Sequence, residues 1–483
     1  MYTPSLFLLG LVTAANAHTT FSRLWINDVS QGSGTCIRMD PNGMTGTGPI
    51  RTSLESSPEM ACGRDGQESV AFTCPAPAGA KLTFEYREYA DLSQPGALDA
   101  QHKGPAAFYV KQVTNMKSDS AAGDGWFKIW EEGYDSATGL WATEKMMHNN
   151  GLMSFNVPEG LPTGYYLFRS ELLTFQNVTN NYVDPQFYVG CAQIFVQGSS
   201  SGPLTIPADK KVSIPGHVQL DQKELHFNIY DQPLKLPYNT PGPKPFIPAG
   251  SGSGSGQTKV AQTQGAIPNT CLAKNANWCG FEVPSYTTQD GCWAASKNCF
   301  EQQEACYKAA PPTGHAGCDM WNKEKCEPLV VACNGGQWTG PPNKGVKLGD
   351  PTAQNGEIVN IPDAAPGPAP EDGGDAEKPA PSPTAGTPDV VNAPAVSSPT
   401  PVEGGAESGG NDAAPLPSSV FLSLPPANAP AIPTTFSFVA KPSLTPDCTG
   451  RKIVKVVKVV KVVPGAGVRS SYKQRRGQQE SHQ

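Results

Sequence analysis

The stretch DPQFYVGCAQIFVQG, Asp184 to Gly198, sets β-branched and aromatic residues between turn formers, the composition of a β-strand. Gln186 and Tyr188 stand two apart in it and so share one strand face. An amide and a phenol aimed together can serve a metal site, although a buried, hydrogen-bonded tyrosine leaves the same pattern. Working outward, KLTFEYREYA (81–90), GPAAFYVKQV (104–113), GLMSFNVPEG (151–160) and GYYLFRSELL (164–173) repeat the theme of short apolar runs bounded by Gly, Pro, Asn or Asp. Several such strands without long helical periods predict an all-β antiparallel sandwich over residues 18–198.

At the amino terminus, Leu6 to Val12 form a short apolar run and Ala15-Asn16-Ala17 supplies small residues for signal-peptidase cleavage. Residues 1–17 therefore read as a secretion signal, too short to span a bilayer, and cleavage makes His18 the first residue of the mature chain. Beyond the sandwich, 199–248 reads as an extended arm with one strand, ELHFNIY (224–230), and 249–268 as a Gly/Ser-rich linker. Residues 269–335 hold eight of the chain's 13 cysteines and predict a small disulfide-stapled module. Its Trp278, Tyr286, Trp293, Tyr307 and Trp321 either stack on sugar rings or fill a tiny core. Residues 336–447 are rich in Pro, Ala, Gly and Ser and read as disordered; 448–483 form a basic tail with Lys452, Lys455, Lys458 and Lys461 at every third position. Cys448 in that tail has no partner that the sequence identifies. The formal charge of -7 gives a nucleic-acid partner no support.

An N-terminal histidine can chelate one metal through both its α-amine and its imidazole. A second imidazole completes a planar three-nitrogen set that suits Cu(II). His102, His148, His217, His226, His315 and His482 are the available partners. His102 precedes an apolar run in DAQHKGPAAFYV, and His148 in EKMMHNNG also precedes a turn, so the residues alone leave both open.

Four motifs in order, HTTFSRLWINDVSQG at 18–32, HKGP at 102–105, GDGWFKIWEEGYD at 123–135 and QFYVGCAQIFV at 186–196, resemble the fungal lytic polysaccharide monooxygenases of auxiliary activity family 9, formerly glycoside hydrolase family 61. The first residues also resemble family 16 of the same class. The resemblance covers residues 18–197 and implies an immunoglobulin-like β-sandwich. It implies copper held by the amine and ring of His18 and the ring of His102, with Tyr188 axial and Gln186 hydrogen-bonding an oxygen species beside the metal. His148 lies outside the family's motif. The resemblance further implies a disulfide between Cys62 and Cys191, leaving Cys36 and Cys74 as a second pair.

The implied activity is oxidative cleavage of β-1,4-glucan, cellulose first, then xyloglucan or other β-glucans, at C1 or C4. It requires an external small-molecule or protein electron donor and O2 or H2O2, and the enzyme is expected to be a secreted monomer without a transmembrane segment. A hydrolase would need paired carboxylates, and none stands out in the motifs. One departure is Gln176, in ELLTFQ, where family members often carry a histidine that handles protons; a neutral amide cannot donate a proton as imidazolium does. That change leaves a copper-binding protein without turnover as the alternative, and the long low-complexity region suggests a structural wall protein as another. Asn177-Val178-Thr179 is a glycosylation sequon.

Overall fold

The computed structural model describes residues 19–41, 46–51, 53–198, 203–249 and 260–353. His18, Cys448, His482 and the expected basic tail lie outside the described residues. In chain order the strands of the N-terminal half are β1 (Thr20–Ile26), β2 (Val29–Ser33), β3 (Ile37–Arg38), β4 (Cys74–Pro77), β5 (Lys81–Arg87), β6 (Ala106–Val113) and β7 (Gly123–Glu132). There follow β8 (Tyr134–Asp135), β9 (Leu140–Trp141), β10 (Leu152–Asn156), β11 (Gly164–Thr174), β12 (Val178–Thr179), β13 (Tyr182–Val183), β14 (Gln186–Gln197) and β15 (Lys211–Ile214).

One sheet runs β10-β5-β1-β2; the other runs β15-β7-β6-β11-β14-β3, with β4 parallel to β14. Between the sheets an aromatic core stacks Phe21 on Phe84 at 4.0 Å, sets Phe84 edge-on to Phe108 at 5.1 Å, and brings Phe108 to Phe155 at 4.1 Å. The result is an antiparallel β-sandwich.

The larger sheet is buried on both faces, which explains why β11 reads as one almost continuous apolar run. Tyr166, Phe168 and Leu172 face the inter-sheet core. Tyr165, Leu167 and Leu173 face a second cluster on the outer side, covered by Trp141 and by Phe227 and Tyr238 of the segment after residue 203. The disulfide Cys62–Cys191 ties the short helix Glu59–Cys62 to β14, and Cys36–Cys74 joins the loop before β3 to β4.

Four expectations require correction. ELHFNIY is not a strand: it holds a single 3-10 turn, Lys223–Leu225, because its alternating apolar side chains pack into the outer cluster rather than against a sheet edge. The strand of this segment is β15, which pairs with β7, so the sandwich continues past residue 198. The expected linker is also too long. From residue 260 onward the chain is fastened to the sandwich: Gly265 O accepts from Thr73 N at 2.8 Å, Gln264 Oε1 from Met116 N at 2.8 Å, and Gln262 Nε2 donates to Thr73 O at 2.8 Å.

The cysteine-rich module continues beyond the expected end at 335, since Gly349 O accepts from Lys274 N at 2.8 Å. It contains a ribbon, β16 (Ala273–Asn275) with β17 (Trp278–Gly280), and helices at Gln289–Ala309, Ala316–Trp321 and Glu327–Asn334. Four disulfides staple it: Cys271–Cys279, Cys292–Cys333, Cys299–Cys326 and Cys306–Cys318. It seats on the β2–β3 turn, where Cys36 N donates to Asn277 Oδ1 at 3.0 Å and Asn277 Nδ2 donates to Gly34 O at 2.9 Å.

Candidate metal centre

Side chains on β14 alternate, so Gln186 and Tyr188 lie on one face. They sit opposite Thr174 and Leu172 of β11. Gln186 Oε1 accepts two hydrogen bonds, from Gln176 Nε2 at 2.6 Å and from the Tyr188 hydroxyl at 3.2 Å. The three residues thus form one chain in which the position of the Gln186 amide is fixed from both sides. Burial raises the Tyr188 pKa well above its ordinary value, so it stays a neutral phenol.

His102 lies on the loop before β6, with its ring 5.9 Å from that of Tyr188. The loop is held tightly: His102 N donates to Asp99 O at 2.9 Å, Phe175 N to Lys103 O at 3.1 Å, and Gly104 N to Thr143 Oγ1 at 2.9 Å. A Cβ at Gly104 would come within 2.0 Å of Leu173 O, so only glycine lets the HKGP loop approach the end of β11 this closely.

His102 is only 4% exposed, yet neither ring nitrogen has a hydrogen-bond partner; the nearest carboxylate oxygen, Asp99 Oδ1, stands 3.5 Å from Nδ1. Burial lowers the His102 pKa, partly opposed by Asp99, and favours the neutral imidazole that metals bind. A buried imidazole with both nitrogens unsatisfied fits a metal ligand and is costly as a plain core residue.

His18 is outside the described residues, but the next residue is anchored beside this loop. Thr19 Oγ1 donates to Ala97 O at 2.5 Å and Thr19 N to Thr47 O at 3.0 Å. The structure brings together His102, Tyr188 and Gln186, with Gln176 behind them. Asp99, the residue facing the His102 ring, carries no motif of its own in the sequence; its only signal there is its position three residues before the histidine.

The other described histidines lie elsewhere. His148 is exposed at the end of the helix Ala142–His148, His217 is buried against Glu171, His226 meets Leu220 O, and His315 pairs with Asp319. Asn177, the sequon residue, is exposed, with Nδ2 3.2 Å from Asp184 Oδ2. Among the described residues no helix is long and apolar enough to cross a membrane.

The family model of Auxiliary Activity family 9 (formerly GH61) matches residues 18–238. The AA9 family lytic polysaccharide monooxygenase C of Aspergillus tamarii is 47% identical over 355 residues, covering 72% of this chain and 93% of that protein. The AA9 family lytic polysaccharide monooxygenase H of Botryotinia fuckeliana (strain B05.10) is 46% identical over 352 residues, covering 70% of this chain and 79% of that protein. Alignments of that length exceed the 18–238 stretch and therefore continue beyond it. The chain belongs to Auxiliary Activity family 9, the copper-dependent lytic polysaccharide monooxygenases, which cleave polysaccharide oxidatively.

Proposed function

We propose that this chain is a secreted, monomeric monooxygenase acting on β-1,4-glucan, with cellulose as its main substrate, and that His18, His102 and Tyr188 would hold its copper. The observation that carries the assignment is the buried His102 ring, hydrogen-bonded at neither nitrogen, with Asp99 Oδ1 3.5 Å from Nδ1, and set beside the Tyr188 phenol. Copper held there would supply, with an external electron donor and O2 or H2O2, the one-electron chemistry that side chains cannot provide.

The chain's own residues position and tune. The Lys103 and Gly104 backbone contacts fix the His102 loop, and Asp99 faces the edge of its ring. Burial keeps the Tyr188 hydroxyl protonated, so it donates to Gln186 Oε1. With that oxygen occupied by Tyr188 and Gln176, the Gln186 Nε2 amide remains to donate toward the reacting oxygen. The twelve cysteines paired in six described disulfides support export to an oxidising compartment. The exposed Asn177 is assigned as a glycan site.

Mass spectrometry of soluble products from cellulose tests this reading. The copper-loaded mature chain should release aldonic acids or 4-ketoaldoses only when ascorbate is present. Unoxidised reducing ends alone would indicate a hydrolase; copper binding with no oxidised product on any β-glucan would leave a binding protein.

Gln176→Leu removes one of the two donors that fix Gln186 without touching the metal set. Turnover should fall about tenfold, the equivalent of roughly 1.4 kcal/mol in the barrier, with copper affinity unchanged. Unchanged turnover in peroxide-driven assays would show that Tyr188 alone positions Gln186.

A further inference from the structure

The helix Gln289–Ala309 carries a seven-residue repeat: Cys292-Trp293, Cys299-Phe300, Cys306-Tyr307. The three cysteines are buried and each is bridged to a different later cysteine, Cys333, Cys326 and Cys318, so the inner side of the helix is pinned along its length. The three aromatic residues, one step around from them, are each 40% exposed. By contrast Tyr286 and Trp321 are buried in the module's core, and Trp278 packs against Trp321. The sequence therefore separates two populations of rings, and only one is explained by packing.

Seven residues advance a helix by about 10.5 Å and rotate it by about two full turns, so Trp293, Phe300 and Tyr307 form a straight, evenly spaced row. Tyr307 is further fixed by its hydroxyl, 2.5 Å from Asp319 Oδ1, while Asp319 Oδ2 holds His315 at 2.9 Å. Isolated exposed aromatics are ordinary; three in register on a disulfide-braced helix are not.

We propose that this row binds an extended β-1,4-glucan chain, one ring per disaccharide. This deepens the glucan reading above and rests on it. Successive sugars of such a chain are turned by half a revolution, so the same pyranose face recurs once per disaccharide, a length close to the ring spacing. The charges around the row show no excess of cations: Lys297 pairs with Glu301 at 3.6 Å, Glu304 and Lys308 follow, and Asp290 and Asp319 flank the two ends. Such a face suits an uncharged polymer and not an anionic one. A second copy of the chain is disfavoured by area, since the exposed parts of three rings offer about 200–300 Å² against the ~800 Å² per partner of a stable interface.

The test uses the full mature chain without reductant, in pull-down on microcrystalline cellulose. The triple variant Trp293→Ala, Phe300→Ala, Tyr307→Ala should bind at least tenfold more weakly, with copper affinity and thermal midpoint unchanged. Phe300→Trp should bind as well as wild type or better. Equal binding by the triple variant overturns the proposal. So does wild-type self-association, seen by sedimentation, that the triple variant loses while cellulose binding persists. If cellulose binding depends on the three rings but no oxidised sugar ever forms, the row stands and the catalytic reading fails. Oxidised products with ring-independent binding overturn the row and leave the catalytic reading standing.

Discussion

His102→Ala is expected to abolish reductant-dependent release of oxidised sugars, by more than about 10³-fold, while leaving the copper-free protein as stable as wild type. The two halves of this result come from the same observation. A buried side chain with two unsatisfied nitrogens carries a desolvation cost of about 1–3 kcal/mol, and its removal relieves that cost while opening a small cavity. The terms oppose each other, so the apo-protein's thermal midpoint should move little.

Copper changes the comparison. A ligand that binds only the folded state stabilises it by about 4 kcal/mol at a thousandfold excess over its dissociation constant. Wild type should therefore gain several degrees on copper addition, and His102→Ala should gain almost none. Calorimetry with and without copper reads this independently of activity. A purely structural His102 would instead lower the apo midpoint and leave the copper-induced rise intact.

The strands were legible because their composition is local. In β14 the period of two places Gln186 and Tyr188 on one face, and that placement needs no tertiary information. Choosing between His102 and His148 did need it. Both precede turns, and only the contacts of Lys103 and Gly104 with the end of β11 put one of them beside Tyr188.

ELHFNIY failed for the complementary reason. Leu225 and Phe227 satisfy their alternation against the aromatic cluster around Trp141, so a strand-like pattern exists without a neighbouring strand. In the module the cysteine density identified disulfides, but the helix under them is set by bridges to residues 12 to 41 positions away, which local pattern does not encode. Arg169 and Glu171 sit inside an apolar strand pattern and are both fully enclosed, because their partners come from the distant segment at residue 217 and from Met60.

Breaking that enclosed cluster should be the most destabilising single change on the chain. Arg169 Nη1 lies 2.7 Å and His217 Nε2 2.8 Å from the same oxygen, Glu171 Oε2; Arg169 also donates through Nε and Nη2 to Met60 O. Arg169 and Lys128 sit 5.2 and 5.4 Å from the Tyr109 ring centre, and Lys128 Nζ donates to Pro241 O at 2.7 Å. The cluster thus clamps the covering segment onto the larger sheet.

Glu171→Gln leaves the Arg169 guanidinium buried without its counter-charge, at a cost of about 3–5 kcal/mol. His217→Leu leaves the Arg169–Glu171 pair intact and should cost less. The pH dependence has a definite sign. For Glu171 burial favours the neutral acid, but Arg169, then His217 and Lys128, outweigh it and bring the pKa down to about 2. Its contribution is complete above the unfolded value near 4.5 and is lost as pH falls toward 2. For His217 burial outweighs Glu171 and lowers the pKa, so the ring stays neutral and donates from Nε2. Below the unfolded value of 6.5 the unfolded chain takes up that proton first, and stability declines there too.

Calorimetry across this range should therefore show wild-type stability falling in two stages on acidification, each by up to about 1.4 kcal/mol per pH unit for its one proton. His217→Leu should remove the upper stage and Glu171→Gln the lower. A wild-type midpoint independent of pH between 6.5 and 4.5 would mean that the imidazole is already protonated against Glu171 in the folded chain and that the clamp is an ion triad; an upper stage that survives His217→Leu would assign that stage to another group.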